Sequence, residues 1–231
     1  MSILNQHKKI FSLVQVELEK FGFSEFEHDP VFYSFYTKKN EGLLSYLISF
    51  HLSTKGITLN YVRGYIMVNP VNKILKQFIP DLSDNNELIT LKNHINGGKQ
   101  EDFKKINEHL KTQKTGDYIM AIMDHIKKID LPFFNKYPTM ETINQEIINK
   151  VPEEDYFEWF PGASLNKIII IMKLCNNPKY ESYKSKNIKI GLQFVKQNPQ
   201  MWKTKYERYI SLINFLDSGS YFKIIEKDNL G

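Results

Sequence analysis

The chain has 231 residues, enough for one large core or two small ones, with 42% hydrophobic and 25% charged residues, ordinary for a soluble globular protein. No apolar run nears the roughly 20 residues that span a bilayer, and the N-terminus lacks a secretion signal, so a cytoplasmic location and no membrane partner are expected. The net charge of +5 is almost all lysine, with Arg63 and Arg208 the only arginines, which disfavours planar recognition of phosphate or guanine and ranks nucleic acid last among partners.

In chain order, residues 2–21 predict an amphipathic helix with Phe11, Val14, Leu18 and Phe21 on one face, Ser2 as N-cap and Gly22 as its stop. Residues 25–30 are polar and predict a loop, and residues 31–37 a first strand. A turn over residues 38–42 leads into the most informative stretch, residues 43–68. There Leu44, Tyr46, Ile48, Phe50 and Leu52 alternate with period two, the pattern of a half-buried strand. Ile57 to Val68 supplies its β-branched and aromatic partner across the turn Ser53-Thr54-Lys55-Gly56.

Pairing Ser53 with Gly56 sets Phe50 opposite Leu59, Ile48 opposite Tyr61 and Tyr46 opposite Arg63. One face is then apolar except for Arg63, and the other carries Ser49, His51, Thr58 and Asn60. A bulge at Gly56 is the main threat to this register. A guanidinium on an apolar face needs a partner. Stacking on Tyr46 or Tyr65, pairing with a carboxylate such as Glu17, or holding an anionic ligand would each satisfy it.

Asn69-Pro70 ends the third strand, and residues 71–78 have helical spacing. Residues 88–91 predict a fourth strand, with a helical turn as the alternative. From Gln100 onward the pattern is helical, through Leu131-Pro132-Phe133-Phe134, an N-cap at Thr139, and three longer segments over residues 165–216. The fold class expected is α+β: an N-terminal helix on an antiparallel meander of three or four strands, followed by an all-helical C-terminal part. The division is placed between residues 1–137 and 138–231.

The initial helix, its Phe21-Gly22-Phe23 ending, the three strands and the helix closing on Leu131-Pro132-Phe133-Phe134 resemble an uncharacterised bacterial family of domains of unknown function, over residues 1 to 137. The resemblance implies no catalytic residues to carry over.

No phosphate-binding glycine loop, nucleophile elbow or zinc-protease motif is present. The histidines are scattered, and Asp124 and His125 face different ways on one helix. Cys175 is the single cysteine, follows an apolar run, and is expected to be a small buried hydrophobe. No cofactor or metal is expected. His51 offers an imidazole on the more polar sheet face, though no carboxylate is placed to orient it. Residues 155–160 pack Tyr156, Phe157, Trp159 and Phe160 between acids. They form either a junction between elements or an exposed binding cluster.

Arg63, His51, Tyr156 and Trp159 are therefore the candidate binding residues. The expected function is a non-catalytic protein-interaction module whose partner the sequence does not identify. The alternatives are an enzyme or small-ligand binder for an anionic group near Arg63, and a lysine-mediated nucleic-acid binder.

Overall fold

The computed structural model describes residues 3–29, 34–53, 58–79, 88–93, 100–111 and 114–226. The chain forms two compact units, Met1–Met67 with Leu91–Pro138, and Val68–Thr90 with Thr139–Gly231. The α+β class is as expected, but residues 68–90, read with the N-terminal part, cluster with the C-terminal helices. Ser2, residues 31–33 of the first predicted strand, the turn residues 54–56 and the break at 96–98 lie outside the described residues.

The first unit opens with α1 (Ile3–Glu19) and holds a five-stranded sheet in the order β1 (Glu25–Asp29), β2 (Ser34–Glu41), β3 (Leu44–Leu52), β4 (Leu59–Val68) and β5 (Leu91–Lys92). Three helices follow: α3 (Gln100–Lys111), α4 (Thr115–His125, running on through a π turn at Ile126–Asp130) and α5 (Leu131–Lys136). The label α2 belongs to Asn69–Phe78, in the second unit.

Phe11, Val14 and Leu18 bury the face predicted for α1, and the Phe11 ring lies 4.9 Å from Phe35 and 5.0 Å from Phe50. Gly22, at φ +85°, closes the helix with its N–H on the Glu19 carbonyl, while Phe23 donates to the Leu18 carbonyl. Past this reversal helical spacing no longer applies. Phe23 takes the core position, and Phe21 stays half-buried beneath the Lys127 ammonium.

The polar stretch 25–29, expected as a loop, is an edge strand. Charge is tolerated there because the cross-strand partners answer it. Glu25 lies opposite Lys38 and accepts from Asn40 at 2.7 Å, and Glu27 accepts from Tyr36 at 2.8 Å. The first predicted strand likewise runs on through Glu41. It turns only at Gly42, whose φ of +57° favours glycine.

The predicted pairing of β3 with β4 is corrected. The β2–β3 register places Phe35 by Phe50, Thr37 by Ile48 and Lys39 by Tyr46. Tyr46 meets the Phe134 ring at 5.0 Å, and a Cβ on Gly64 would lie 2.9 Å from that ring and 2.8 Å from Asp130 Oδ1. Tyr46 and Gly64 therefore share the helix-covered face, and Arg63 projects from the other. Leu59 and Val62, three residues apart, are both fully buried. With Gly64 rather than Arg63 on the face of Tyr46, a register counted from the turn comes out one step wrong.

The outer edge of β4 is closed twice. Over Tyr65 and Ile66 it pairs with β5, so the strand expected at 88–91 is only the two residues Leu91–Lys92. Near the hairpin end the Asn107 side chain substitutes for a strand, donating to the Leu59 carbonyl at 2.8 Å and accepting its N–H at 2.9 Å.

The second unit comprises α2, α6 (Met140–Ile143, continued by a π turn at Asn144–Ile148), α7 (Tyr156–Trp159), α8 (Ser164–Leu174), α9 (Tyr180–Gln197), α10 (Pro199–Asp217) and α11 (Phe222–Glu226). Thr139 caps α6 by accepting the Thr142 N–H at 3.1 Å, as predicted. The run Ile168–Met172 is fully buried, and beside it lies Lys167, wholly enclosed, donating to the carbonyls of Ile89 and Pro161. Among the described residues no helix is long and apolar enough to cross a membrane.

Candidate functional site

Arg63 and His51 lie on the same sheet face. Residues 61, 63 and 65 project together from β4. The Arg63 guanidinium stands 5.2 Å over the Tyr61 ring and hydrogen-bonds to the Tyr65 hydroxyl, and the His51 ring stacks on Tyr61 at 4.2 Å. Burial pushes the Tyr65 hydroxyl up to about 12, so Tyr65 stays protonated. The arginine finds its partners on its own strand, on Tyr61 rather than Tyr46, and Glu17 instead pairs with Lys20 at 2.7 Å. This aromatic stacking meets part of the need that the sequence raised.

Behind it, on the helix side, Asp130 is completely enclosed. Its Oδ1 accepts from the Gly64 N–H at 2.7 Å and from Asn93 at 3.3 Å, while Oδ2 has no hydrogen-bond partner among the described residues. Burial raises its carboxyl from 3.8 to about 6, against the opposing pull of those two donors and of Arg63. Gly64 is required here because any side chain would displace Asp130 or Phe134. Sequence reading passed over Asp130, since a single acid next to Leu131-Pro132 carries no periodic signal.

Tyr156 and Trp159 are both buried. The Tyr156 hydroxyl donates to the Ile148 carbonyl at 2.5 Å, and its ring meets those of Phe160 and Tyr183 at 6.3 Å, all within the second unit. These two residues fasten α7 to its neighbours. The exposed ring of the segment is Phe157, with 61% of its surface accessible.

Among the described residues, several exposed apolar side chains lie where α9 turns into α10. Asn198 caps α10 by accepting the Met201 N–H at 3.2 Å, and Pro199 occupies the first turn, so the two helices form a tight hairpin. Leu192, Phe194 and Met201 are 42%, 41% and 59% exposed. The Phe194 and Trp202 rings stack at 5.0 Å, and the Lys205 ammonium stands 4.9 Å over Trp202. Gly191 lets the Tyr206 ring lie against the α9 backbone, where a Cβ would come within 2.8 Å of it. Between the helices is a cavity of about 220 Å³ lined by Ile190, Phe194, Trp202, Lys205 and Tyr206 among others. Sequence reading missed it because α9 places apolar residues on several sides (Ile188, Ile190, Leu192, Phe194, Val195), and only the packing tells which are left uncovered.

A second cavity, of about 370 Å³, lies in the first unit, bordered by Phe23, Tyr46, Phe134 and the Lys39–Glu41 ion pair at 2.8 Å. The charges there already neutralise each other. Burial pushes the half-buried Cys175 thiol up to about 12, which removes thiolate chemistry at neutral pH. Among the described residues no group of three or more His, Cys, Asp or Glu side chains is arranged to hold a metal ion. Comparison of the chain with protein-family models, with curated proteins and with solved structures finds no match.

Proposed function

We propose that the protein is an interaction module that binds another protein through the hairpin of α9 and α10. The observation that carries the reading is the stacked Phe194–Trp202 pair at the turn between α9 and α10, with Phe194 itself 41% exposed and Met201 beside Trp202 in the chain 59% exposed. Clustered exposed apolar side chains around a Trp are the composition of a contact patch, whereas isolated ones are ordinary surface. The resemblance over residues 1 to 137 supplies no residue to this reading.

The test is a photo-crosslinking amino acid at position 194 of the full chain, in the cells that make it, with position 120 as an exposed control on α4. One discrete protein adduct from position 194, absent from position 120, is expected. No adduct at 194, or the same adducts from both positions, would sink the proposal.

A second reading, an anion site beside Arg63, is favoured by one observation. The buried Arg63 Nε has no hydrogen-bond partner among the described residues. Arg63→Lys keeps the charge and removes the planar fork. Under this reading a titrated anion such as phosphate or citrate raises the melting temperature of the wild type and not of the variant. If the variant only melts lower, by about 1 kcal/mol of lost stacking, and the anion leaves both unchanged, the arginine is structural.

A further inference from the structure

We infer that the cavity bordered by β2, β3 and α5 binds a free aromatic amino acid, with its carboxylate on Lys39, its ammonium on Glu41 and its ring against Phe23, Tyr46 and Phe134. This site belongs to the first unit and is independent of the interaction reading.

Strand geometry brings its parts together. Lys39 and Glu41 stand two residues apart on β2 and so project from one face. Lys39 lies opposite Tyr46 in the β2–β3 register, and the Tyr46 ring meets Phe134 at 5.0 Å. Phe134 in turn meets Phe23 at 5.9 Å, which gives the cavity an aromatic wall. Its volume of about 370 Å³ falls at the small end of ligand sites, which run to roughly 300–1,000 Å³. A single ring with a short polar tail fits that space, and a dinucleotide does not.

The lining carries one charge of each sign, Lys39 and Glu41. Lys127 stands 5.9 Å over the Phe21 ring but is not part of the lining. Lys39 is held in place, with its ammonium 6.0 Å from the centre of the Tyr46 ring. Its stem runs against the backbone at Gly22, where a Cβ would come within 3.2 Å of the Lys39 Cε. The glycine that stops α1 thus also leaves room for the lysine. Glu41 is the looser partner, 61% exposed against 32% for Lys39. So open a pair adds little to stability and exchanges readily. The Tyr46 hydroxyl and the Asn135 side chain make no hydrogen bond among the described residues, so both can serve a ligand. Burial first, and then the charge of Glu41, raises the Tyr46 hydroxyl above its ordinary range, which keeps it protonated as a donor.

The paired charges select the ligand as the volume does. A phosphate or other anion drawn to Lys39 would meet Glu41, and an amine or metal ion drawn to Glu41 would meet Lys39. An uncharged ring would gain nothing from either. An α-amino acid bears both charges on one carbon, a spacing that suits groups whose own atoms lie 2.8 Å apart. Its carboxylate replaces Glu41 on the lysine, and Glu41 takes the ammonium.

The probes are tryptophan and phenylalanine, each beside the acid that lacks the ammonium (indolepropionate, phenylpropionate) and the amine that lacks the carboxylate (tryptamine, phenethylamine). Leucine is the zwitterion without a ring. Calorimetric titration of the full chain is expected to show binding of at least one aromatic amino acid. Each of its analogues should bind about tenfold more weakly or worse, the loss of one charge-assisted hydrogen bond. Glu41→Gln should then bind the acid as well as the amino acid. Lys39→Met, which keeps the stem against Gly22, should bind the amine as well as the amino acid. The ratio of affinities within each variant is the readout, so a change in overall stability does not enter it. Failure of both amino acids to bind overturns the inference. So does an analogue or leucine that binds as tightly as the amino acid, or a wild-type preference retained in both variants. Crosslinking at position 194 is untouched by any of these results.

Discussion

Phe50→Ala is expected to destabilise the first unit by about 3–5 kcal/mol, the range for truncating a fully buried aromatic. The ring has no accessible surface, lies opposite Phe35 across the β2–β3 pair, and meets Phe11 of α1 at 5.0 Å. Its removal leaves a void between helix and sheet that neither can close without repacking Phe11. Phe21→Ala is the informative control, because Phe21 lies in the turn that closes α1, just before Gly22, and is only half-buried. That change is expected to cost about 1 kcal/mol. Urea denaturation of the two variants measures the difference. Equal losses would mean that Phe21 belongs to the core and that the capping account of Phe23 is wrong.

The second large effect is a pH dependence at Asp130. Its carboxyl rises from 3.8 in the unfolded chain to about 6 in the folded one, driven first by burial. Between these values the native state binds more protons than the unfolded state, so this group makes stability fall as pH rises. Its contribution is fully present below pH 3.8 and is lost as pH passes through about 6. A shift of roughly two units amounts to about 3 kcal/mol.

Asp130→Asn keeps an acceptor for the Gly64 N–H and removes the titration. The stability of this variant relative to wild type should therefore climb by up to about 3 kcal/mol between pH 4 and pH 8, with most of the change below pH 7. Subtracting the two pH profiles cancels every other titrating group. A flat difference profile would show that Asp130 does not titrate in this window. Asp130→Ala should instead be destabilising at all pH values, since it strands the Gly64 N–H and opens a void.

Local pattern determined much of this architecture. The α1 face of Phe11, Val14 and Leu18, the existence of β3 (though both its faces are buried rather than one), the helix stop at Gly22, the Thr139 cap and the α+β class each depend on residues a few positions apart, where spacing and backbone preference suffice. The rest needed contacts between distant segments. The β4 register could not be counted from the turn, since Gly64 and not Arg63 shares the face of Tyr46. The edge strand at Glu25–Asp29 exists because Lys38, Asn40 and Tyr36 answer its charges.

Tertiary structure also reassigned the candidate residues. Arg63 is held by Tyr61 and Tyr65 with its Nε left unpaired among the described residues, and Tyr156 and Trp159 are buried where they are needed for packing. Exposure at Phe194 and Trp202 could not be read from α9 and α10, because a helix apolar on several sides leaves its buried face undetermined. Which side meets solvent is decided only when neighbours cover the others. Spacing sets which residues share a face, and packing alone sets which face remains open.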